Sequence, residues 1–306
     1  MSFEDLATTI KKRFGYDASQ FSPEFAEPRL RDLLRASPGR QKKEDLSLDG
    51  APHLARGDVI QALSVPVTTM FRDALFYRDL REKVLSALLK KDHVFIWDVG
   101  CATGEEAYSL AIFLEEMGFH GRYTLYATDF NRWAIAQAKR GTYDIRNAQR
   151  FTHSYHRAGG GACFSDYYHA GNEALVLDRS LRDQITFAEH DLFTDQSFTR
   201  PDIVLCRNVM IYFSRQLQIA TINLLTDCLE NDGFFCVGKG EPIVKGTNGQ
   251  RLEEISKEGR IFRLKSQDSC GSDRQSARIS DPNSPNNRMQ AEETDDRDGK
   301  SVHTNR

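Results

Sequence analysis

Two glycines followed by two carboxylates form the stretch of the sequence best suited to binding a ligand. Gly100 and Gly104 lie between an apolar, β-rich run, residues 94–97, and a segment of helical spacing that opens with Glu105 and Glu106. Glycines let the chain turn tightly and let a ligand approach the backbone, and the first N–H groups of a helix lack intrahelical partners. A strand, a glycine turn and a helix in this order predict a ligand-binding turn.

The two carboxylates indicate which ligand this turn accepts. A P-loop carries Lys and Ser or Thr after its last glycine, and a pyrophosphate site reads G-x-G-x-x-G, so Glu105 and Glu106 disfavour a phosphate. They favour a ligand with hydroxyls or positive charge, such as the ribose, amine and sulfonium of S-adenosylmethionine. An ordinary βα turn with a solvated acidic helix start fits the same residues, because Glu suits that end of the helix dipole.

Polar side chains also follow three later predicted strands. They are Asp129 after the strand at 123–127, Asp191 after 184–188, and Arg207 and Asn208 after 202–206. One carboxylate can accept hydrogen bonds from both vicinal ribose hydroxyls, which is the role we predict for Asp129. Open α/β sheets bind ligands at the carboxyl ends of their strands, so these side chains are expected to gather there.

The segment 64–73 is predicted to be an extended link, because Pro66 disfavours helix at the residue before it. If the link passes over the cofactor, Thr68 could hydrogen-bond it and Arg72 could hold an anionic substrate. Arginine suits that task because its planar guanidinium binds a carboxylate through two hydrogen bonds. A capping threonine and a surface arginine are the alternative.

Alternating strands and helices predict an α/β fold that positions these residues. Residues 1–70 have helical spacing and are predicted to form a helical N-terminal domain and linker, followed by the main domain at 71–265. The alternation breaks at 142–182, which is rich in Gly, His and Tyr and is predicted to be a small inserted antiparallel β-subdomain. The last strand, 260–264, is expected at the antiparallel edge of the sheet. Residues 266–306 lack Phe, Trp and Tyr and are predicted to be a disordered tail.

The composition excludes several classes of protein. The chain has 306 residues, 40% hydrophobic and 28% charged, without a long apolar run, so neither a secretory signal nor a membrane span is predicted, and the expected location is the cytoplasm. The formal net charge of −3 offers no electrostatic support for nucleic-acid binding. The six cysteines include no C-x-x-C pair and are predicted to be buried reduced thiols, without a metal.

Six motifs occur in an order and at a spacing that a known family shares. They are VTTMFRD, CATGEEAYSLA, YATDFN, EHDLF, CRNVMIYF and NDGFFCVG. Over about residues 5–265 the sequence resembles the CheR chemoreceptor methyltransferases, which are S-adenosylmethionine-dependent protein-glutamate O-methyltransferases. The resemblance implies a helical N-terminal domain and a Rossmann-like class I methyltransferase domain with a small inserted antiparallel β-subdomain. It also implies S-adenosylmethionine as cofactor, S-adenosylhomocysteine as product, and a methyl-accepting chemoreceptor or related signalling protein as partner.

The resemblance also assigns roles to individual positions. Arg72 and Tyr212 match residues that face the reacting glutamate and are the predicted catalytic residues. With the turn residues added, the predicted cofactor-binding residues are Thr68, Arg72, Gly100, Glu105, Glu106, Asp129, Asp191, Leu192, Arg207, Asn208 and Val209. A glutamate is already ionised at neutral pH and a sulfonium is already an activated leaving group. The reaction therefore needs orientation and exclusion of water rather than a general base.

Two positions depart from the family pattern, and two other functions stay open. Pro66 stands where many members have an asparagine that touches the cofactor, and residues 238–241 read GKGE in place of a GHSE-like turn. One alternative is a methyltransferase of the same fold acting on nucleic acid or a small molecule, against which stand the missing N-P-P-Y type motif and basic groove. The other is a cofactor-sensing interaction module without turnover, against which Arg72 and Tyr212 argue.

Overall fold

The computed structural model describes residues 1–36, 51–192, 200–243 and 247–265. The helices are α1 Phe3–Phe14, α2 Pro23–Ala36, α3 Arg56–Leu63, α4 Ala74–Asp79, α5 Ser86–Leu88, α6 Glu105–Glu116, α7 Arg132–Arg140, α8 Ala148–Arg157, α9 Arg179–Asp183 and α10 Arg215–Cys228. A π-helical turn, Leu80–Leu85, joins α4 to α5. The strands are β1 Val94–Val99, β2 Tyr123–Asp129, β3 Thr142–Asp144, β4 Tyr168–Ala170, β5 Ala174–Leu177, β6 Ile185–Glu189, β7 Ile203–Cys206, β8 Phe234–Val237, β9 Leu252–Ser256 and β10 Ile261–Leu264.

A seven-stranded mixed sheet forms the centre of the protein. Its strand order is β6-β2-β1-β7-β8-β10-β9. The first five strands run parallel, and β10 pairs antiparallel with β8. Every residue of β7 and β8 is buried, because helices cover both faces of the parallel part. The predicted α/β architecture is confirmed.

One prediction about the sheet edge is wrong. The last strand, β10, is antiparallel as expected, but β9 pairs outside it and forms the edge. The strand β9 reads LEEIS and exposes both of its glutamates, so it lacks the apolar run that reveals a central strand. Charged residues on an edge strand discourage pairing with other chains, which explains this composition.

The two faces of the sheet have separate hydrophobic cores. Alternate residues of β1 divide between them, since Ile96 packs with α6 and the inserted subdomain whereas Trp97 packs on the opposite face. The Trp97 face is covered by the N-terminal helices together with α10. The N-terminal helices therefore share a core with the sheet and lie close to the ends of its strands. The domain boundaries at residues 70 and 265 stay a prediction.

The N-terminal helix α1 begins and ends at the residues that its sequence indicates. Ser2 and Asp5 form a reciprocal capping box, and Gly15 ends the helix in the left-handed conformation, with φ +65°. Leu6 and Ile10 are buried on its inner side. The segment that follows α1 contributes Phe21 to the cavity described below.

The break in the βα alternation is a small antiparallel sheet, as predicted. Its strand order is β3-β5-β4, and the helix α8 lies between β3 and β4 along the chain. The aromatic side chains of this subdomain, Phe151, Tyr155 and Phe164, are buried in the core that contains α6. The inserted subdomain is thus attached to the helix that follows the glycine turn.

Two further predictions differ from the structure or lie outside it. Cys163 is exposed, whereas the sequence predicts buried thiols; Cys101, Cys206, Cys228 and Cys236 are buried and free. The predicted disordered tail, 266–306, lies outside the described residues. Among the described helices, none is long and apolar enough to cross a membrane.

Candidate active site

A cavity lies at the carboxyl ends of the parallel strands β1, β2, β6 and β7. It encloses about 640 Å³, including the part open to solvent. Its lining comes from these strand ends, from the link after α3 and from the N-terminal segment. The lining residues are Phe21, Leu63, Ser64, Val65, Val99, Gly100, Ala102, Thr128, Asp129, Phe130, His190, Asp191, Leu192, Asn208, Val209, Tyr212 and Phe213.

The glycine turn forms one wall of this cavity. Gly100 has φ +75°, and a Cβ added there would lie 2.4 Å from Cγ2 of Val209. The N–H groups of Gly100 and Cys101 both donate to the carbonyl oxygen of Thr128, at 2.7 and 2.9 Å. Glycine is required at position 100 because the backbone conformation and the neighbouring valine both exclude a side chain. The turn and Val209 therefore form one packed wall.

Asp129 holds the turn and also lines the cavity. Its Oδ2 accepts from the Ala102 N–H at 3.0 Å, and its Oδ1 accepts from the Asn131 N–H at 2.8 Å. Burial raises its pKa to about 6, and these two hydrogen bonds oppose the shift. Each carboxylate oxygen has a second lone pair available, so Asp129 can accept from ribose hydroxyls while keeping its backbone partners.

The segment after β6 lines the cavity beside Asp129. The N–H of His190 donates to the carbonyl oxygen of Asp129 at 3.1 Å, and the His190 ring packs edge-on against Trp97 with centroids 5.4 Å apart. Burial, and next the charge of Asp191, raise the pKa of Tyr16, so Asp191 lies near the N-terminal segment. Asp191 and Leu192 thus lie beside the predicted ribose site.

The turn after β7, which includes Val209, continues the wall formed by the glycine turn, and a residue outside the predicted set supports it. Asn208 is left-handed, with φ +61°. The Val209 N–H donates to Oε1 of Glu241 at 2.7 Å, and Glu241 is 2% exposed. Burial raises the Glu241 pKa to about 7. Glu241 belongs to the GKGE turn, where the only sequence signal was a departure from the family pattern.

Tyr212 lines the cavity and is held by the N-terminal segment. Its ring packs against Phe25 of α2 with centroids 4.6 Å apart, and its carbonyl oxygen accepts from the Ser22 N–H at 2.9 Å. A backbone bridge pairs Phe21 with Phe213. The N-terminal helices therefore contact the predicted catalytic tyrosine directly, which the sequence does not indicate.

Glu106 and Arg207 are paired with each other rather than lining the cavity. The Arg207 side chain is 1% exposed; it forms an ion pair with Glu106 through Nη1 and a second one with Asp73 through Nη2 at 2.9 Å. Burial raises the pKa of Glu106, whereas the charge of Arg207 opposes this. Both residues were predicted to contact the cofactor, and they lie behind the glycine turn and the Asn208 turn.

Asp98 is a buried carboxyl beside this pair that the predictions did not include. It is 1% exposed, and its Oδ2 has no hydrogen-bond partner among the described residues. Burial, and next the charge of Glu106, raise its pKa well above the ordinary range. The signal in the sequence was an acidic residue inside the apolar run of β1. A cation bound near Asp98 would lower this pKa, because it would oppose both the burial and the charge of Glu106.

The remaining predicted residues also lie outside the cavity lining. Thr68 is in the irregular link before α4, and Arg72 is close enough to Glu106 for its charge to lower the Glu106 pKa. Glu105 is 7% exposed and accepts from the Thr103 hydroxyl at 2.6 Å. The carbonyl oxygen of Thr103 in turn accepts from the Tyr143 hydroxyl at 2.9 Å, so the inserted subdomain supports the glycine turn.

The site fits a nucleoside that carries positive charge. Asp129 supplies acceptors for ribose hydroxyls, and a positively charged group beside Asp98, whose Oδ2 has no partner among the described residues, would stabilise the ionised form of that carboxyl. With the sheet topology, these features define a Rossmann-like methyltransferase that uses S-adenosylmethionine. Residues 66–258 match the family model described as CheR methyltransferase, SAM binding domain. The chain belongs to the CheR methyltransferase family.

Similar proteins come from several bacteria. The Cher3 protein of Pseudomonas putida is 38% identical over 205 residues, which are 67% of this chain and 75% of that protein. A chemotaxis protein methyltransferase of Listeria innocua is 28% identical over 66% of this chain and 72% of its own. Chemotaxis protein methyltransferase 1 of Pseudomonas aeruginosa is 26% identical over 68% of this chain and 77% of its own.

Proposed function

We propose that the protein transfers the methyl group of S-adenosylmethionine to glutamate side chains of a bacterial chemoreceptor or receptor-like signalling protein. The products are a glutamate methyl ester and S-adenosylhomocysteine. The observation that carries this proposal is the match of residues 66–258 to the CheR methyltransferase domain. Relatives named chemotaxis protein methyltransferase support the choice of substrate. A cytoplasmic location is part of the same proposal.

The residues of the cavity have separate tasks in this proposal. Asp129 would hold the ribose, Asp191 and Leu192 the adenine, and Asn208 and Val209 would contact the cofactor beside Gly100. When bound, the cofactor supplies an activated methyl group on a sulfonium. The Asp98 carboxyl would interact with its positive groups, and Glu106 would hold Arg207 through their ion pair. Gly100 allows close approach to the backbone, and Glu105 would hold the helix start through Thr103.

Arg72 and Tyr212 act on the substrate in this proposal. The glutamate carboxylate is ionised at neutral pH, so no residue has to remove a proton from it. Arg72 orients this carboxylate toward the methyl group, and Tyr212 donates to it or packs against it. Thr68 would hydrogen-bond the cofactor from the same link. These contacts also displace water from the carboxylate, which strengthens its attack on the methyl carbon.

The test uses the purified protein, methyl-labelled S-adenosylmethionine and receptor-containing membranes from the source cell. Mild alkali releases a methyl ester as volatile methanol, so alkali-labile label on a protein band supports the proposal. The variant Arg72→Ala is expected to lose turnover while keeping its affinity for the cofactor, and Arg78→Ala, an exposed arginine on α4, is the matched control.

Three outcomes would contradict parts of the proposal. Alkali-stable label, or label on RNA, would indicate another substrate class. Binding of the cofactor without transfer to any receptor would indicate the sensing module. Retained turnover in Arg72→Ala with weakened cofactor binding would show that Arg72 serves the cofactor rather than the carboxylate.

A further inference from the structure

The link that carries Arg72 has an unfavourable backbone on both sides of that residue. Phe71 has φ +54° and Asp73 has φ +61°. Residues other than glycine rarely adopt this conformation, and they keep it only where the surrounding structure holds them. Two such residues flanking one arginine indicate that the link is held in a conformation it would not adopt by itself.

The Phe71 side of the link is held by packing and one hydrogen bond. Phe71 is 1% exposed, and its ring contacts the rings of Tyr77, Phe113 and Tyr155, with centroids 5.3 to 5.8 Å away. Its N–H donates to Oγ of Ser109 on α6 at 2.9 Å. This side is thereby joined to the helix that follows the glycine turn.

The Asp73 side is held by Arg207, which lies 134 residues further along the chain. Oδ2 of Asp73 accepts from Nη2 of Arg207 at 2.9 Å, and the carbonyl oxygen of Arg72 lies 3.5 Å from the same nitrogen. The guanidinium also packs on the ring of Phe76, 3.8 Å from its centroid, in the first turns of α4. Because the Arg207 side chain is 1% exposed, water screens these contacts little.

Arg207 connects this link to the cavity. It is paired with Glu106 through its other terminal nitrogen and directly precedes Asn208, whose left-handed backbone begins the cavity wall. One side chain thus joins the glycine-turn helix, the Asn208 turn and the strained link. A residue that only contacted the cofactor would need an exposed face toward the cavity, and Arg207 has none.

We infer that Asp73 and Arg207 form a positioning pair that holds Arg72 in place for methyl transfer. This inference rests on the proposed function, since Arg72 is the residue assigned there to the substrate carboxylate. Arg207 and Asp73 touch neither substrate nor cofactor in this account. A misplacement of a substrate-positioning residue by about 1 Å can lower turnover about 100-fold. The pair therefore affects the rate by fixing the position of Arg72.

The test replaces Asp73 in two ways. Asp73→Asn removes the charge but keeps a residue that tolerates the left-handed backbone, and Asp73→Gly removes both the side chain and the strain. Each variant is expected to lower kcat by about 10- to 100-fold, with the dissociation constant of S-adenosylmethionine unchanged within about threefold. Asp92→Asn, an exposed aspartate, is the matched control.

A second measurement does not depend on turnover. Amide hydrogen exchange of peptides covering residues 64–76 should accelerate in Asp73→Asn and stay unchanged in the control, because the link loses its restraint. Unchanged exchange would overturn the inference, and so would full turnover of Asp73→Gly or an equal loss of kcat and cofactor affinity. Failure of the proposed function is distinguishable, because the wild-type protein itself would then transfer no methyl group to the receptor.

Discussion

Replacing Asp129 by asparagine is expected to weaken cofactor binding and to remove a pH-dependent destabilisation of the protein. Burial raises the Asp129 pKa to about 6 from its ordinary value of 3.8, so the folded state holds the proton more tightly than the unfolded state. The ionised carboxylate therefore lowers the stability of the folded protein. This cost is absent below the unfolded pKa and grows as pH rises through about 6.

The size of the effect follows from the two pKa values. One pKa unit corresponds to about 1.4 kcal/mol, so the cost reaches about 3 kcal/mol above pH 7 and changes by about 2 kcal/mol between pH 4.5 and 7.5. Asparagine also has one acceptor oxygen for the two N–H donors of Ala102 and Asn131. The lost hydrogen bond costs about 1–3 kcal/mol at every pH, and it therefore shifts the stability difference without changing its slope.

Urea unfolding of both proteins at about pH 4.5 and 7.5 measures this slope. The free energy of unfolding of Asp129→Asn should rise by about 2 kcal/mol relative to wild type over that interval. In parallel, calorimetric titration with S-adenosylmethionine at pH 7.5 should show about a 10- to 100-fold weaker affinity, because hydrogen bonds to a charged acceptor are lost. A stability difference independent of pH would refute the raised pKa, and unchanged affinity would refute the ribose contact.

Two more predictions concern the walls of the cavity. Gly100→Ala should weaken cofactor binding at least about tenfold, because the added methyl group would push Val209 away. Gly118 has a similar φ of +80° but nothing within 4 Å of an added Cβ, so Gly118→Ala should leave cofactor binding unchanged. Titration of both variants with S-adenosylmethionine measures the difference. Glu241→Gln keeps an acceptor for Val209 but no longer ionises. Burial raises the Glu241 pKa to about 7, so ionisation of Glu241 destabilises the wild-type protein as pH rises. The free energy of unfolding of Glu241→Gln, measured by thermal or urea unfolding, should therefore rise by about 2 kcal/mol relative to wild type between pH 5.5 and 8.5.

Local patterns were sufficient to predict most of the sheet and part of the cavity. Gly100, Asp129, Asp191 and Asn208 each follow an apolar strand, and parallel strands end at the same edge, so these residues line one cavity. The break after Gly141 was also visible, because the composition of 142–182 changed. The edge strand β9 was missed since its exposed glutamates hide the apolar pattern.

Contacts between distant segments could not be predicted in the same way. The pairing of Tyr212 with Phe25, and of Val209 with Glu241, depends on how helices and turns pack. The raised pKa values of Asp98 and Asp129 arise from burial, which spacing along the chain does not reveal. For the same reason the ion pairs of Arg207 with Asp73 and Glu106 could not be predicted.

By itself the sequence determined most of the strands, the glycine turn and the polar residues that end the strands, because these depend on neighbours within a few positions. Only the tertiary structure decided which charges meet. It paired Arg207 with Asp73 across 134 residues and held Phe71 and Asp73 in left-handed conformations around Arg72. Such backbone strain persists only when packing from several segments opposes it, so no local pattern can specify it.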